Sequence, residues 1–431
     1  MKVLIKNGHV VDPANKIDGI FDVLIDGAKI IKVAPAIKIN AEQTIDATGK
    51  SVMPGIVDMH VHLREPGRED KETVASGTRA AIHGGVTSML AMPNTLSTID
   101  CPETVKLLKE IIAHTAQANV FISGAITKGR QGQKLTDIAK LKKSGAIAFS
   151  DDGNSVDSEK LMLAALKKAK ELKVLVTCHC EDKALSADGV VNLGFTSTRM
   201  GLRGISKESE YKRIKRDIEL AEKADAPIHI AHVSCSESVE IIAKAKKKGI
   251  KVTCETAPHY FTLDEESVFG YDTNRKMNPP LRGKNDVAAI KQGLANRVID
   301  AIASDHAPHT ENEKEIEFDR AEFGVIGLET ILAVSITELL QAKVLSISEL
   351  VRKLSLNPAK ILGIDKGTLS VGKDADIIVI DPNKEWVVKK EGFFSKSRNC
   401  AFLGRTLKGV VEYTICGGKI VYASHSTDEH R

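Results

Sequence analysis

The stretch "DMHVHLREPG", residues 58–67, sets His60 and His62 two positions apart and Arg64 two further on. On a strand, side chains two apart share a face, so the two imidazoles can converge on one ion. An imidazole pair suits a divalent transition metal, and a guanidinium beside it suits an anion. The same residue types recur at the ends of later apolar runs. Asn94 follows "VTSMLAMP", Asp151 and Asp152 lie in "AIAFSDDG", and His179 lies in "VLVTCHCED". His232 stands in "PIHIAHVS", and Asp305, His306 and His309 stand in "VIDAIASDHAPH". Alone, a histidine such as His232 reads as a hydrogen-bonded structural residue. Four imidazoles with two carboxylates at one rim instead point to a divalent metal, because imidazole suits Zn, Co, Mn or Fe and a carboxylate can bridge two ions. His306, next to Asp305, is expected to point elsewhere. His259, in "ETAPHY", either lines the site or caps a turn. His9, His83, His114, His229, His425 and His430 are given no role, and Cys178 and Cys180, flanking His179, read as packing.

Such a set needs a scaffold that brings many strand ends to one side. Between about Val52 and Leu362, eight apolar runs rich in Val, Ile, Ala and Thr alternate with amphipathic stretches such as 102–117, 158–172 and 236–249. The runs lack the polar alternation of a half-exposed sheet and suit buried parallel strands. Ser158 and Ser236 are the expected N-caps of two of the helices. Together these units predict an α/β fold, a TIM-type (β/α)8 barrel over residues 52–363 with its chemistry at the C-terminal strand ends. Residues 1–51 and 364–431 read as short strands with Gly and Asp at the turns, and predict one small β-sandwich built from both termini. The polar stretch 310–322, just after His309, reads as a mobile active-site loop in preference to a merely solvated one. The tail "SHSTDEHR" is expected to fray.

Composition narrows the partners. The 61 basic and 57 acidic residues are interspersed and leave a net charge of only +4, which gives no case for nucleic acid or a membrane surface. Seven cysteines, odd in number and without a CxxC pair, fit free thiols in a reducing cytoplasm. The N-terminal residues carry no cleavable leader pattern, and no segment approaches the roughly 18–20 apolar residues that span a bilayer.

The motifs "DMHVHLREPG", "MPNT", "FSDDG", "CHCED", "AHVS", "KMNPPLR" and "SDHAPHT", in this order across essentially the whole chain, resemble the amidohydrolase superfamily, and within it the type I dihydroorotases. Allantoinases and hydantoinases share that barrel and act on other cyclic amides or ureides. The resemblance implies reversible hydrolysis of L-dihydroorotate to N-carbamoyl-L-aspartate in pyrimidine (UMP) biosynthesis, with one or two Zn2+ ions. It implies His60 and His62 as ligands of a first metal, His179 and His232 as ligands of a second, and Asp152 as the carboxylate between them. Asp305 resembles a ligand that also serves as general acid/base. Arg64, Asn94 and His309 match a clamp on the substrate carboxylate, and Asn278 of "NPPLR" matches a contact to the ring. A neutral ring such as hydantoin would leave Arg64 nothing to bind. Some related chains have lost their ligands and act as scaffolds for aspartate transcarbamoylase. Here every ligand position is filled, which favours an enzyme, with a homo-oligomer and a transcarbamoylase partner expected beside it. Other members bridge their metals with a carbamylated lysine. Lys140, Lys142 and Lys143 fall in the helix before "FSDDG", so a carboxylate bridge is expected, with Asp151 bonding near the turn at Gly153.

Overall fold

A computed structural model describes residues 1–424. The chain opens with five short strands: β1 (Lys2–Asp12), β2 (Ile17–Asp26), β3 (Lys29–Ala34), β4 (Gln43–Asp46) and β5 (Ser51–Pro54). Gly27, in the β2–β3 turn, takes φ +56, a left-handed conformation that suits a two-residue hairpin turn. The barrel follows with β6 (Ile56–Val61), β7 (Val86–Ala91), β8 (Asn119–Gly124), β9 (Ala146–Phe149) and β10 (Leu175–Cys178). After a two-stranded excursion, β11 (Val191–Asn192) with β12 (Gly204–Ile205), it continues with β13 (Ile228–Ile230), β14 (Val252–Thr256) and β15 (Ala301–Ile302). The eight barrel strands are hydrogen-bonded in sequence order, each parallel to the next.

The ring is completed by contacts just beyond the strands. The His62 amide donates to His306 O at 2.9 Å, and the Ser304 amide donates to both oxygens of the buried Asp58 carboxylate at 3.1 and 3.2 Å. Each of the eight apolar runs contains one barrel strand. The first run splits at Gly55: β5 joins the terminal sheet and β6 enters the barrel. A Cβ on Gly55 would lie 2.1 Å from Thr87 Oγ1, so only glycine lets the chain pass there.

Helices cover the barrel at 102–115, 159–172 and 236–247, close to their expected spans. Ser158 caps its helix by accepting the Leu161 amide at 3.3 Å. Ser236 does not cap. It is the first helical residue after Cys235, and its hydroxyl turns instead to Asp286 at 3.1 Å. Inside the barrel, Val57, Leu90, Ala148, Leu175 and Ala301 form one cluster with Ala359 and Leu362. Strands from opposite sides of the ring meet in it. The helix Asn357–Leu362 therefore closes the bottom of the barrel and leaves the opposite end for chemistry.

The last strands, β16 (Ile377–Val387), β17 (Thr406–Cys416) and β18 (Lys419–Ala423), return to the first ones. Both termini thus share one eight-stranded sheet, ordered β18-β17-β16-β5-β1-β2-β3 with β4 on β1. The sheet folds over until its two ends meet, burying Val23, Ile25, Ile30, Ile377, Val379 and Ile415 between them. The expected fraying of the tail falls on 425–431, outside the described residues apart from Ser424. No described helix is long and apolar enough to cross a membrane.

Candidate functional site

His60, His62, Asp152, His179, His232 and Asp305 come from five different strand ends and meet at one mouth of the barrel. His60 Nε2 lies 3.2 Å from Asp152 Oδ1 and 3.6 Å from Asp305 Oδ1. His62 Nε2 is 3.4 Å from Asp305 Oδ1 and 3.4 Å from Asp152 Oδ2. His179 Nδ1 and His232 Nε2 stand 3.6 and 3.7 Å from Asp152 Oδ1, and 2.8 Å from one another. Asp152 therefore stands between two histidine pairs, one oxygen shared by three imidazoles and the other near His62. His60, His62 and Asp305 form one group with metal-ligand spacing, and His60, Asp152 and His232 form another.

Local backbone strain serves this convergence. Asp305 and His232 hold φ +50 and +36, and Arg64 holds φ +62. Side chains rarely adopt this left-handed region, and strain of this kind collects where a site demands a particular direction.

The outer ring nitrogens are also fixed. His60 Nδ1 meets Glu255 Oε1 at 2.7 Å, His62 Nδ1 meets Asn94 Oδ1 at 2.8 Å, and His179 Nε2 meets Glu181 Oε2 at 3.2 Å. Each acceptor holds the proton on the outer nitrogen and turns the inner lone pair toward the cluster, as metal-binding histidines require. Buried His60 Nε2 and Asp152 Oδ1 have no hydrogen-bond partner. Two orphaned acceptors aimed at one small volume are costly unless a donor or a cation sits between them. The donor set of imidazoles and carboxylates fits a divalent transition metal.

The electrostatics agree. Burial opposes a charge on His60, yet the Asp152 and Asp305 carboxylates hold its pKa well above the usual value. Burial opposes it on His179 too, but hydrogen bonds to Asp152 and Glu181 lift its pKa to about 9. Asp152 and Asp305 are held below the ordinary carboxylate range against their own burial, chiefly by His60 and its neighbouring histidines. The site stabilises positive charge, the condition for holding a cation.

A cavity of about 320 Å3 opens over the cluster, lined among others by Arg64, Asn94, Asn278 and His309. Arg64 donates from Nε to Pro308 O at 3.1 Å, and its Nη2 lies 3.3 Å from His309 Nε2. Burial lowers its pKa to about 10, so it stays charged at neutral pH. His309 is neutral, its pKa pushed to about 3 by burial. Its Nε2 faces Phe323 O at 2.8 Å and its Nδ1 faces the Lys71 ammonium at 3.1 Å. The proton therefore sits on Nε2. Asn94 reaches the cavity while its Oδ1 is committed to His62, and Asn278 Nδ2 donates to Glu181 at 3.2 Å.

Asp151 faces away from the cluster, both aspartates lying just past the end of β9. Both of its oxygens accept from Thr127, the amide at 2.9 Å and the hydroxyl through a short bond, so its partner lies at the end of the neighbouring strand and not at Gly153. His306 also points elsewhere, 3.3 Å from Glu72. His259 is buried with Nε2 unpartnered and is not among the cavity-lining residues; burial lowers its pKa to about 4. The 310–322 segment borders the cavity at its end. Glu322 lines the cavity, but two buried lysines pin the segment: Lys276 Nζ donates to Phe318 O, Asp319 O and Ala321 O at 2.8, 3.0 and 2.5 Å, and Lys314 Nζ donates to Glu322 O at 2.7 Å.

Glu255, Glu181 and Lys71 escaped sequence reasoning. Glu255 did carry a signal. A carboxylate inside the buried strand "VTCET" must find a partner, and it has His60 and His229 at 2.7 and 3.3 Å. All seven cysteines are free, five of them buried.

A closed parallel barrel with histidines and carboxylates gathered at its C-terminal strand ends defines a hydrolase of the amidohydrolase type. Residues 329–422 match the amidohydrolase family and residues 49–238 match the dihydro-orotase-like family. The chain is 52% identical to a dihydroorotase of Elusimicrobium minutum over 97% of each chain. It is 49% identical to one of Geotalea daltonii, over 98% of this chain and 99% of that one. Among solved structures, the L-hydantoinase (dihydropyrimidinase) of Arthrobacter aurescens superposes with a TM-score of 0.89 at 25% identity, covering 98% of this chain and 96% of the other. The chain belongs to the dihydroorotase family.

Proposed function

We propose that this chain interconverts L-dihydroorotate and N-carbamoyl-L-aspartate in pyrimidine biosynthesis, using one or two Zn2+ ions. His60 and His62 would hold one ion with Asp305, His179 and His232 would hold the other, and Asp152 would reach both. Metal bound there supplies a water acidic enough to attack as hydroxide at neutral pH, and polarises the ring carbonyl. Asp305 accepts the proton of the attacking water as the new C–O bond forms, then delivers it to the ring nitrogen as the C–N bond breaks. Arg64 orients the substrate through its carboxylate, with Asn94 and His309 beside it and Asn278 against the ring.

One observation carries the choice of substrate. Among the described residues, no carboxylate forms an ion pair with the half-buried Arg64 guanidinium, which faces the cavity; it donates to the Pro308 carbonyl, and the neutral His309 imidazole lies beside it. A cation left this way at a cavity wall calls for an anionic ligand, and a carboxylate matches its planar fork. Neutral hydantoin offers none. On the same reading, the catalytic barrel runs to residue 363 and begins at Gly55 in place of the expected 52, since Ser51–Pro54 pair within the terminal sheet, and the described residues before and after it form one terminal β-sandwich. The enzyme is cytoplasmic, homo-oligomeric and able to pair with aspartate transcarbamoylase. Metal-analysed protein offered dihydroorotate, allantoin and hydantoin side by side should turn over dihydroorotate alone. Comparable kcat/KM on hydantoin would overturn the assignment.

A further inference from the structure

We propose that Asn399, supplied by the connection between β16 and β17 of the terminal sheet, is a positioning residue that sets the substrate clamp. The inference rests on the carboxylate-clamp reading of Arg64 and His309 and extends it to a part of the chain outside the barrel.

Residues 393–400 cross from the terminal sheet to the barrel mouth and end beneath the cavity. Asn399 is 4% exposed, and its amide is fully used. Its Oδ1 accepts the His309 backbone amide at 3.3 Å, and its Nδ2 donates to Ala307 O at 3.0 Å and to Gly324 O at 3.1 Å. Its own carbonyl accepts the Ile326 amide at 3.0 Å. One side chain thus ties together two cavity walls, residues 307–309 and 323–326, that are not adjacent in sequence. The walls are in close contact: a Cβ on Gly324 would lie 2.6 Å from Ala307 Cβ and 3.4 Å from His309 Nε2. The same segment steadies His309 a second way, since Ser397 Oγ donates to Lys71 O at 2.8 Å and the Lys71 ammonium faces His309 Nδ1.

Only an amide meets these demands, with one acceptor for an N–H and two donors for two carbonyls. An aspartate of the same shape would set a carboxylate against two carbonyl oxygens. Shape-filling and positioning are therefore separable. If Asn399 only fills space, Asn399→Asp should be tolerated and Asn399→Ala should not. If it positions the clamp, both should fail alike, and in KM.

The test combines steady-state kinetics on dihydroorotate, metal analysis, and hydrogen exchange of peptides spanning 304–326. Both variants should raise KM tenfold or more, keep kcat within about threefold, retain wild-type metal content, and exchange faster in 304–326 only. An unchanged KM in either variant, or kcat and metal content falling together, overturns the proposal. Should both variants fail to fold, Ser397→Ala is read instead: a raised KM supports the proposal and an unchanged one overturns it. A metal-loaded wild type that does not turn over dihydroorotate would refute the proposed function and not this inference. Exchange then decides, with acceleration confined to 304–326 supporting the positioning role and unchanged exchange overturning it.

Discussion

Asp305 combines two demands that a single carboxylate seldom meets. It sits among three histidines that favour its ionised form, and its backbone is held at φ +50 so that it faces them. Asp305→Asn keeps the shape but cannot carry a proton. Turnover should fall about a thousandfold or more in both directions, the scale of general acid–base catalysis. Retention of metal in that variant, checked by elemental analysis, separates proton transfer from ligation. Arg64→Met should act on binding. Removing one partner of a buried charge-assisted pair costs about 2–5 kcal/mol, so kcat/KM should drop roughly a hundredfold or more, mostly through KM. The two neighbouring aspartates make the sharpest comparison. Asp152→Ala should lose metal and activity, whereas Asp151→Ala, which removes only the bonds to Thr127, should keep its metal. Equal metal loss in both variants would refute the placement of the bridge at Asp152.

At the scale of elements, the segment after His309 is the informative one. It is rich in charge and reads from the sequence as a mobile active-site loop, yet three of its carbonyls converge on the Lys276 ammonium inside the protein. Burial lowers the pKa of Lys276 to about 8, so it remains mostly charged at pH 7. Lys276→Met would leave three carbonyls unpaired, of which the buried ones of Phe318 and Ala321 would each cost about 1–3 kcal/mol. That variant should be cut by protease within 311–322 far faster than the wild type, with metal content unchanged. An unaltered cleavage pattern would show that the loop is held by other contacts. The helix before "FSDDG" also behaves as its composition suggests. Lys140, Lys142 and Lys143 lie exposed on its outer side, and Lys142 reaches Leu172 O, away from the mouth. Metal reconstitution should therefore proceed without added bicarbonate, and a strict bicarbonate requirement would point to a carbamylated lysine.

For the whole molecule, the cluster joins strand ends from all around the barrel, so a metal held there ties the ring together. A ligand that binds only the folded state raises stability by RT ln(1 + [L]/Kd), about 2.7 kcal/mol at a hundredfold excess over Kd. Stripping metal with a chelator should lower Tm, and zinc should restore it. The Asp152→Ala variant should show a much smaller response, and a Tm indifferent to zinc in the wild type would argue against a site that spans the strands. The terminal sheet matters at the same scale. It is built from the first and the last described strands and also sends residues 393–400 to the barrel mouth, so the two parts share the construction of one cavity.

The eight βα units, the two-strand-style termini and the recurrence of His and Asp at run ends were legible because each depends on local pattern: apolar runs must be buried, and strand side chains alternate. The convergence of the imidazoles and carboxylates was legible for the same reason, since barrel topology brings successive strand ends to one rim. Contacts between segments distant in sequence were not legible. Glu255 against His60, Lys71 against His309 and Asn399 against Ala307 and Gly324 lie 195, 238 and up to 92 residues apart. The Ser236 cap failed because Asp286, 50 residues on, claims its hydroxyl. Sequence alone determined which residues stand at the mouth, because that follows from local alternation and chain order. Tertiary structure alone decided which partners fix their rings, charges and loops, because those partners are chosen by proximity in the folded chain and leave no periodic trace along it.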